Sequence, residues 1–399
     1  MEHERADLIV VGAGPGGSNA AAVALAGGLR VAQIDQAMLP RVKPCAGGLT
    51  MKTCRALRLD YAPWLRATTQ SVEFNLWQQA GHRFTHRRRA VAHMVSRPEF
   101  DNALVEQNRA HPAFALYSGE RVVDATYDGV FSVRTAQRVV HAPQLVAADG
   151  AYSTINRIFG VARPQAMAVA IEVNIARSEV DIEREPVMCF DFGAIESGYG
   201  WVFPKDDHWS VGLYTYSRGL KGLRSRLRSY IEAKGLAPRT ATVLEFEAHQ
   251  VPVGGYRLRM HRAPVYVVGD AGGFADALTG EGIYHAVESG RLAGETARVV
   301  HARGRSADIA AYRRRLWRTV LPDTAFTYHA SRLFYAHLRG GIGALTAPGV
   351  WRVLIEGYAD SATTTRSIAR APLYVARSLL RDTVAHDRVA AWPGRLAPH

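Results

Sequence analysis

The sequence predicts an α/β protein: a Rossmann-like domain, a β-sheet domain on the substrate side and a helical C-terminal region. Three observations predict it. Leu8-Ile9-Val10-Val11 is an apolar run suited to a strand buried on both faces, and Gly12-Ala13-Gly14-Pro15-Gly16-Gly17 follows at once. Two later segments repeat a strand that ends in a turn, Leu145 to Ala147 before Asp149-Gly150 and Val265 to Val268 before Gly269-Asp270. Between them lie strand-like stretches such as Ser71 to Trp77 and Val187 to Phe192, while residues 301 to 399 read largely as helix.

Each N-terminal element has a physical task. Gly12 permits a tight turn, Gly14 lets backbone approach a pyrophosphate, and Gly17 lets helix pack closely on strand. Ser18 to Leu25 is rich in Ala and reads as helix, with Gly27-Gly28 as its stop. The start of that helix offers free N–H groups and a positive dipole end to phosphates. Arg30 to Ile34 is the next strand and ends in Asp35, about twenty residues on, where a carboxylate accepts hydrogen bonds from ribose hydroxyls. Strand, turn, helix, strand and acid in this order predict a dinucleotide site. The motif alone does not say which dinucleotide.

Composition narrows the class. The chain has 399 residues, enough for two to three domains' worth of core, with 48% hydrophobic and 21% charged residues. Three cysteines, Cys45, Cys54 and Cys189, do not make a disulfide framework and favour a reducing cytoplasm. Ala6 to Leu29 is weakly charged, but Asp7 and six glycines suit a strand, turn and helix better than a signal or a membrane span. The net charge of +13 raises a nucleic-acid reading, yet no zinc spacing, helix-turn-helix or RNA-binding motif supports one. The histidines show no metal-ligand spacing, so no metal is expected.

The downstream turns choose the cofactor. Asp270, at a strand end, is placed to bond a ribitol hydroxyl, and Gly282-Ile283 opens a helix whose N–H groups face phosphate or flavin oxygens. Leu145 to Ala148 runs into Asp149-Gly150, with Ser153 as a helix cap. In this order the segments resemble flavoproteins of the p-hydroxybenzoate hydroxylase group. The resemblance implies FAD and a cofactor domain assembled from separated pieces of chain. Arg97, in Ser96-Arg97-Pro98-Glu99-Phe100-Asp101, matches an Arg that opens a helix and contacts FAD there; the plainer role is a salt bridge to Asp101. There is no second glycine fingerprint, so NADPH or another reductant, including an electron-donor protein, is expected to act only transiently.

Two further motifs narrow the family. Arg41-Val42-Lys43-Pro44-Cys45-Ala46-Gly47-Gly48 places a polarisable thiol beside two glycines that admit a flat ligand, although a small buried hydrophobe is the plainer role for Cys45. In Gly198-Tyr199-Gly200-Trp201-Val202-Phe203-Pro204-Lys205 the aromatics alternate, so they share one face of a strand. That face either packs in a core or walls an apolar channel. Together with the fingerprint these motifs resemble the geranylgeranyl reductase family over about residues 5 to 300. The resemblance maps FAD contacts onto Gly16, Asp35, Cys45, Ala46, Gly48, Arg97, Asp270, Gly282 and Ile283, with Val122 as a backbone contact, beside Gly12, Gly14 and Gly17. Many members carry Gly where this chain has Ala46.

The implied reaction is saturation of isolated double bonds in a polyprenyl, lipid-like substrate, with Cys45 aiding proton delivery or alkene placement and Tyr199 and Trp201 lining the prenyl channel. A monooxygenase or halogenase of the same fold is the second reading, since Tyr-x-Trp-x-Phe-Pro is close to the Trp-x-Trp-x-Ile-Pro of halogenases.

These readings divide the chain into a discontinuous FAD-binding domain (1–60, 96–160, 260–300), a substrate domain (61–95, 161–259) and a C-terminal helical region (301–399), with helix breaks near Gly340-Gly341, Pro348-Gly349 and Pro372. Ile309, Tyr312, Leu316 and Val320 recur at helical spacing beside Arg313, Arg314, Arg315 and Arg318. From Arg303 to Arg395 there are 15 Arg against six acids, which is +9 of the +13. The surplus is therefore local, and it suits peripheral contact with anionic lipid by an otherwise cytoplasmic protein.

Overall fold

The computed structural model describes residues 2–389 except 58–59, 78, 80, 181–184, 186, 218, 240–243, 261–262 and 305–306. Arg305 and Arg395, two members of the basic count, lie outside the described residues.

Two large sheets organise the chain. The first has five strands, all parallel, in the order Val265–Val267, Leu145–Ala147, Leu8–Val11, Val31–Asp35 and Phe114–Ser118. Its strands are apolar on both faces because helices cover both sides: Leu8 to Val10, Leu145 to Ala147 and Val265 to Val267 are fully buried. The helix Pro15–Leu25 and the long helix Ile283–Ala302 lie against each other through glycines. A Cβ at Gly290 would fall 2.1 Å from the Gly16 carbonyl oxygen, and one at Gly294 would fall 2.6 Å from that of Ala20. Gly12 has φ +105°, and a Cβ at Gly17 would sit 2.0 Å from its carbonyl oxygen, so strand, turn and helix meet at contact distance.

The second sheet has eight strands, ordered Glu247–Val253, Ala166–Ala176, His208–Thr215, Gly198–Pro204, Met188–Phe192, Ser71–Leu76, Gly81–His86 and Val384–Val389. Helix Leu223–Ala233 covers one face. Tyr230 of that helix stacks so closely that a Cβ at Gly200 would lie 2.5 Å from its ring. The opposite face carries Tyr199, Trp201, Phe190, Phe192 and Phe74 in a continuous aromatic layer, with neighbouring ring centroids 5.3–6.3 Å apart.

The C-terminal part is helical from Ile309 to Arg381, then returns as the strand Val384–Val389 beside Gly81–His86. The sequence reading of this part as helix missed that strand, whose partner lies about 300 residues earlier. Two of the helix breaks expected near Gly or Pro occur as helix starts, at Pro348 and at Ala371 just before Pro372, but Gly340-Gly341 falls inside Leu338–Leu345, the break being at His337. Tyr312, Leu316 and Val320 are fully buried, so that stripe faces the core while Arg313, Arg314 and Arg318 face solvent. Trp351 packs on Phe84 at 5.2 Å and Ile355 is fully buried, which seats these helices on the second sheet.

No described helix is long and apolar enough to cross a membrane, and no described group of His, Cys, Asp or Glu could hold a metal ion.

Candidate active site

The fingerprint glycines stand at the C-terminal edge of the parallel sheet, where open α/β sheets bind ligands. Asp35 ends its strand with Oδ2 accepting the Ala13 N–H at 2.6 Å and Oδ1 accepting that of Ala37 at 2.9 Å. The carboxylate thus fixes the turn. Gly14 has only the tip of Arg41 within reach of an added Cβ, at 3.5 Å, so the turn leaves open space above it. Gly16 is different: a Cβ there would meet Val268 at 2.5 Å and the Ala286 carbonyl oxygen at 2.9 Å, which makes it a packing position against the long helix.

The Arg41 to Gly48 loop crosses from this edge to the second sheet. Lys43 Nζ lies 3.5 Å from Asp270 Oδ2, joining the loop to the end of the Val265–Val267 strand. Arg97 is buried, donates two bonds to Asp101 (2.9 and 2.8 Å) and hydrogen-bonds the Cys45 thiol, and the charge of Asp101 holds it firmly protonated despite its burial. The salt bridge to Asp101 and the reach to Cys45 therefore coexist. Gly47 has φ +67°, and a Cβ there would lie 2.2 Å from the Val95 carbonyl oxygen. Next to it Gly48 has nothing nearer than 3.9 Å, so the loop is tight on its protein side and open on its cavity side. Lys205 pins the loop from below, its Nζ donating to the carbonyls of Ala46 (2.6 Å) and Val95 (2.8 Å); burial pulls its pKa down to about 8.

An apolar cavity begins at this loop. Cys45, Ala46, Gly48, Gly282, Ile283, Tyr199 and Trp201 all line it. Ile355 and Tyr358 of helix Pro348–Ala359 and Thr364 line it too. Tyr199 donates its hydroxyl to the Thr279 carbonyl, which ties the aromatic strand to the segment leading into the long helix. Trp201 lies across Gly212, where a Cβ would fall 2.3 Å from the indole, and its Nε1 reaches Ser210 Oγ at 3.2 Å. Asp270 and Arg97 stand behind the loop. Val122 is buried in the core, in the segment whose Glu120 N–H donates to the Asp35 carbonyl at 3.0 Å. Asp149 and Ser153 cap the short helix Thr154–Phe159: Ser153 Oγ accepts the Asn156 N–H at 2.9 Å and Asp149 Oδ2 that of Ile155 at 3.1 Å.

Sequence reasoning missed two polar groups of this cavity. One is Glu172, whose carboxylate accepts the Cys45 backbone N–H. The other is a buried ionic cluster. Lys52 Nζ sits 3.3 Å from Glu281 Oε2 and 4.6 Å from the Tyr284 ring centre. Asp276 is adjacent, its Oδ1 taking the N–H groups of Leu278 and Thr279 at 2.8 and 2.9 Å. Burial and Lys52 keep the nearby His285 neutral, whereas burial raises the Asp276 pKa. A lone acid within Ala168-Val169-Ala170-Ile171-Glu172-Val173 was the available signal for Glu172. For Lys52, it was the scarcity of lysine.

A family model described as an FAD binding domain matches residues 5–315. The menaquinone reductase of Mycolicibacterium smegmatis is 32% identical over 320 residues, 73% of this chain and 76% of that protein. The chain is a FAD-dependent oxidoreductase of the geranylgeranyl reductase family. A digeranylgeranylglycerophospholipid reductase of Methanopyrus kandleri is 29% identical over 73% of this chain and 80% of its own length. Among solved structures, a geranylgeranyl bacteriochlorophyll reductase-like protein of Thermoplasma acidophilum superposes with a TM-score of 0.74 at 19% identity, covering 96% of this chain and all of that one. A flavin-dependent brominase gives 0.70 at 16%, covering 95% and 99%. Both show the shared fold.

The cradle fits the cofactor that defines the family. Gly14 and Gly48 leave open space where any side chain would project, and two helices start there, at Pro15 and Ile283.

Proposed function

We propose that this reductase saturates isolated C=C bonds in a polyprenyl chain. The observation that carries the reading is the continuity of the aromatic-walled cavity with the Cys45–Gly48 loop and the Gly282–Ile283 helix start. Bound FAD, reduced transiently by NADPH or another donor, supplies the hydride. The FAD contacts are assigned to Gly12, Gly14, Gly16, Gly17, Asp35, Cys45, Ala46, Gly48, Arg97, Val122, Asp270, Gly282 and Ile283. The protein's share is to exclude water, hold the alkene in place beside Cys45 and lay the chain along Tyr199 and Trp201. An unconjugated alkene has no carbonyl to polarise it, so positioning and a proton source must come from the cavity wall. Relatives named for menaquinone and for digeranylgeranylglycerophospholipid support a prenyl chain as the common element.

The test is mass spectrometry of products from the reduced enzyme offered geranylgeranyl diphosphate, a geranylgeranylated ring and a prenyl quinone. A gain of two hydrogens per bond, without oxygen uptake above background, is expected for at least one. Substrate-coupled oxygen uptake with no added hydrogen would replace this reading by the monooxygenase or halogenase one. In the same assay Trp201→Ala is expected to shift the preferred chain length, because it opens the cavity wall across Gly212; an unchanged preference removes Trp201 from the channel.

Peripheral membrane contact belongs to the same reading, and its support is a surface other than the Arg313–Arg318 stripe. Leu373, Leu379 and Leu380 are 60, 62 and 86% exposed on one amphipathic helix, Ala371–Arg381, flanked by exposed Arg366, Arg370 and Arg381. An apolar ridge with a basic rim suits the interface of an anionic bilayer. Leu373→Asp with Leu380→Asp is expected to abolish sedimentation with phosphatidylglycerol vesicles while leaving FAD content unchanged; undiminished binding would place the contact elsewhere.

A further inference from the structure

Reduction of an alkene needs a proton as well as a hydride, and the cavity contains a carboxyl group placed to supply it. Glu172 sits on strand Ala166–Ala176, opposite Gly212 on one side and Glu247 on the other. Its Oε1 accepts the Cys45 backbone N–H, so the base of the motif loop rests on this side chain. Its Oε2 is approached by Ser210 Oγ at 3.4 Å, and that hydroxyl in turn accepts the Trp201 indole N–H at 3.2 Å. Trp201, Gly212 and Glu172 stand in one row across three neighbouring strands, and the missing Cβ of Gly212 lets the indole lie over that row. Cys45 and Trp201 are thereby linked to one buried carboxyl group, which itself lines the cavity.

We propose that Glu172 is the general acid of the reaction, holding on Oε2 the proton that the alkene receives as its other carbon takes the hydride. This rests on the reading of the enzyme as an alkene reductase. In the step the π bond opens and two C–H bonds form, one from the hydride with its electron pair and one from the Glu172 O–H. Glu172 is left as a carboxylate and is re-protonated from solvent. Because Oε1 is engaged by Cys45, the mobile proton belongs on Oε2, where the long contact to Ser210 restrains it weakly.

The surroundings keep this acid protonated near neutrality. Burial pushes its pKa up to about 7, and the like charge of Glu247 adds to the rise. The Cys45 N–H, the Lys205 ammonium and the Ser210 hydroxyl act the other way. His249, two residues away in register on the same face, also lines the cavity and is kept neutral by burial and by Lys43. A donor with a pKa near the working pH suits general acid catalysis.

Glu172→Gln retains the acceptor for Cys45 and removes the proton. The variant is expected to bind FAD as the wild type does and to reoxidise its reduced flavin with prenyl substrate on the order of 100-fold more slowly. The wild-type rate is expected to fall as pH rises through about 7, and the variant's rate to lose that dependence. Infrared difference spectra should show a protonated carboxyl band in the wild type at pH 6, absent at pH 8 and absent from Glu172→Gln at both. A variant with wild-type rate and pH profile overturns the proposal, as does an infrared band that survives the substitution. If Cys45→Ser alone abolishes transfer while Glu172→Gln does not, the thiol is the donor instead. A wild-type enzyme that reduces no prenyl alkene, yet shows the titrating band, overturns the functional reading, and the proposal falls with it.

Discussion

A Gly290→Ala enzyme is expected to lose most of its bound FAD and about 3 kcal/mol or more of stability. The added methyl carbon would lie 2.1 Å from the Gly16 carbonyl oxygen and 2.9 Å from its carbon, both rigid backbone atoms of the fingerprint helix. Nothing flexible stands there to give way, so the two helices must separate by about an ångström to restore contact distance. The long helix begins at Ile283, which lines the cavity with Gly282, and a shift at Gly290 moves that start by a similar amount. Gly343→Ala is the control. It also replaces a glycine inside a helix, but no atom lies within 4 Å of the added carbon, and the change should be neutral or slightly stabilising. Thermal unfolding followed by flavin fluorescence, with FAD content per chain, checks both. If Gly290→Ala melts with the wild type and keeps its flavin, the close approach of the two helices has no part in forming the site.

Lys52→Met is expected to cost about 3–5 kcal/mol at neutral pH, since it strands buried carboxylates that the ammonium now balances. Lys52 is held by Glu281, with Tyr358, Asp276 and Asp323 adding to the field, and these raise its pKa above its ordinary value in spite of burial. A lysine whose folded pKa is raised contributes stability throughout the range below its unfolded value of 10.5, and loses it only as pH climbs through the folded value. The wild type should therefore show no loss from this group between pH 5 and 9. In the variant Asp276, whose pKa burial already raises, can keep its place only by taking up a proton. Its stability should fall as pH rises through the carboxylate range, and the gap to the wild type should widen from acid to neutral pH. Urea denaturation at pH 5 and pH 8 measures the gap. A gap of equal size at both values would mean that the loss is one of packing.

What the sequence made readable was local. The strand Leu8–Val11, the turn at Gly12 and the Asp at 35 lie within thirty residues, and each has a periodicity or a glycine that reports its conformation. The alternating aromatics of Gly198–Pro204 were readable for the same reason, since a two-residue period is written into the strand itself. The cavity was not, because its polar groups meet across long separations. Glu172 and Cys45 are 127 residues apart, and the contacts of Lys52 come from the segment around 276–285 and from Asp323 and Tyr358 in later helices. Val384–Val389 was unreadable as a strand because its hydrogen bonds belong to Gly81–His86, and six residues with two valines carry no period of their own. The exposed leucines of Ala371–Arg381 look in sequence like another core stripe, as Tyr312 and Leu316 in fact are. Only the packing separates the two.

The return of the C-terminal helices to the second sheet has a consequence for how such enzymes diversify. The FAD binding domain match stops at residue 315, while Ile355, Tyr358 and Thr364, which line the cavity, come after it. That part of the cavity wall is set by a segment outside the matched domain. Insertions or exchanges there can change the cavity wall while the glycine fingerprint stays as it is. A lineage can thus reshape the cavity by rewriting the last fifth of its gene.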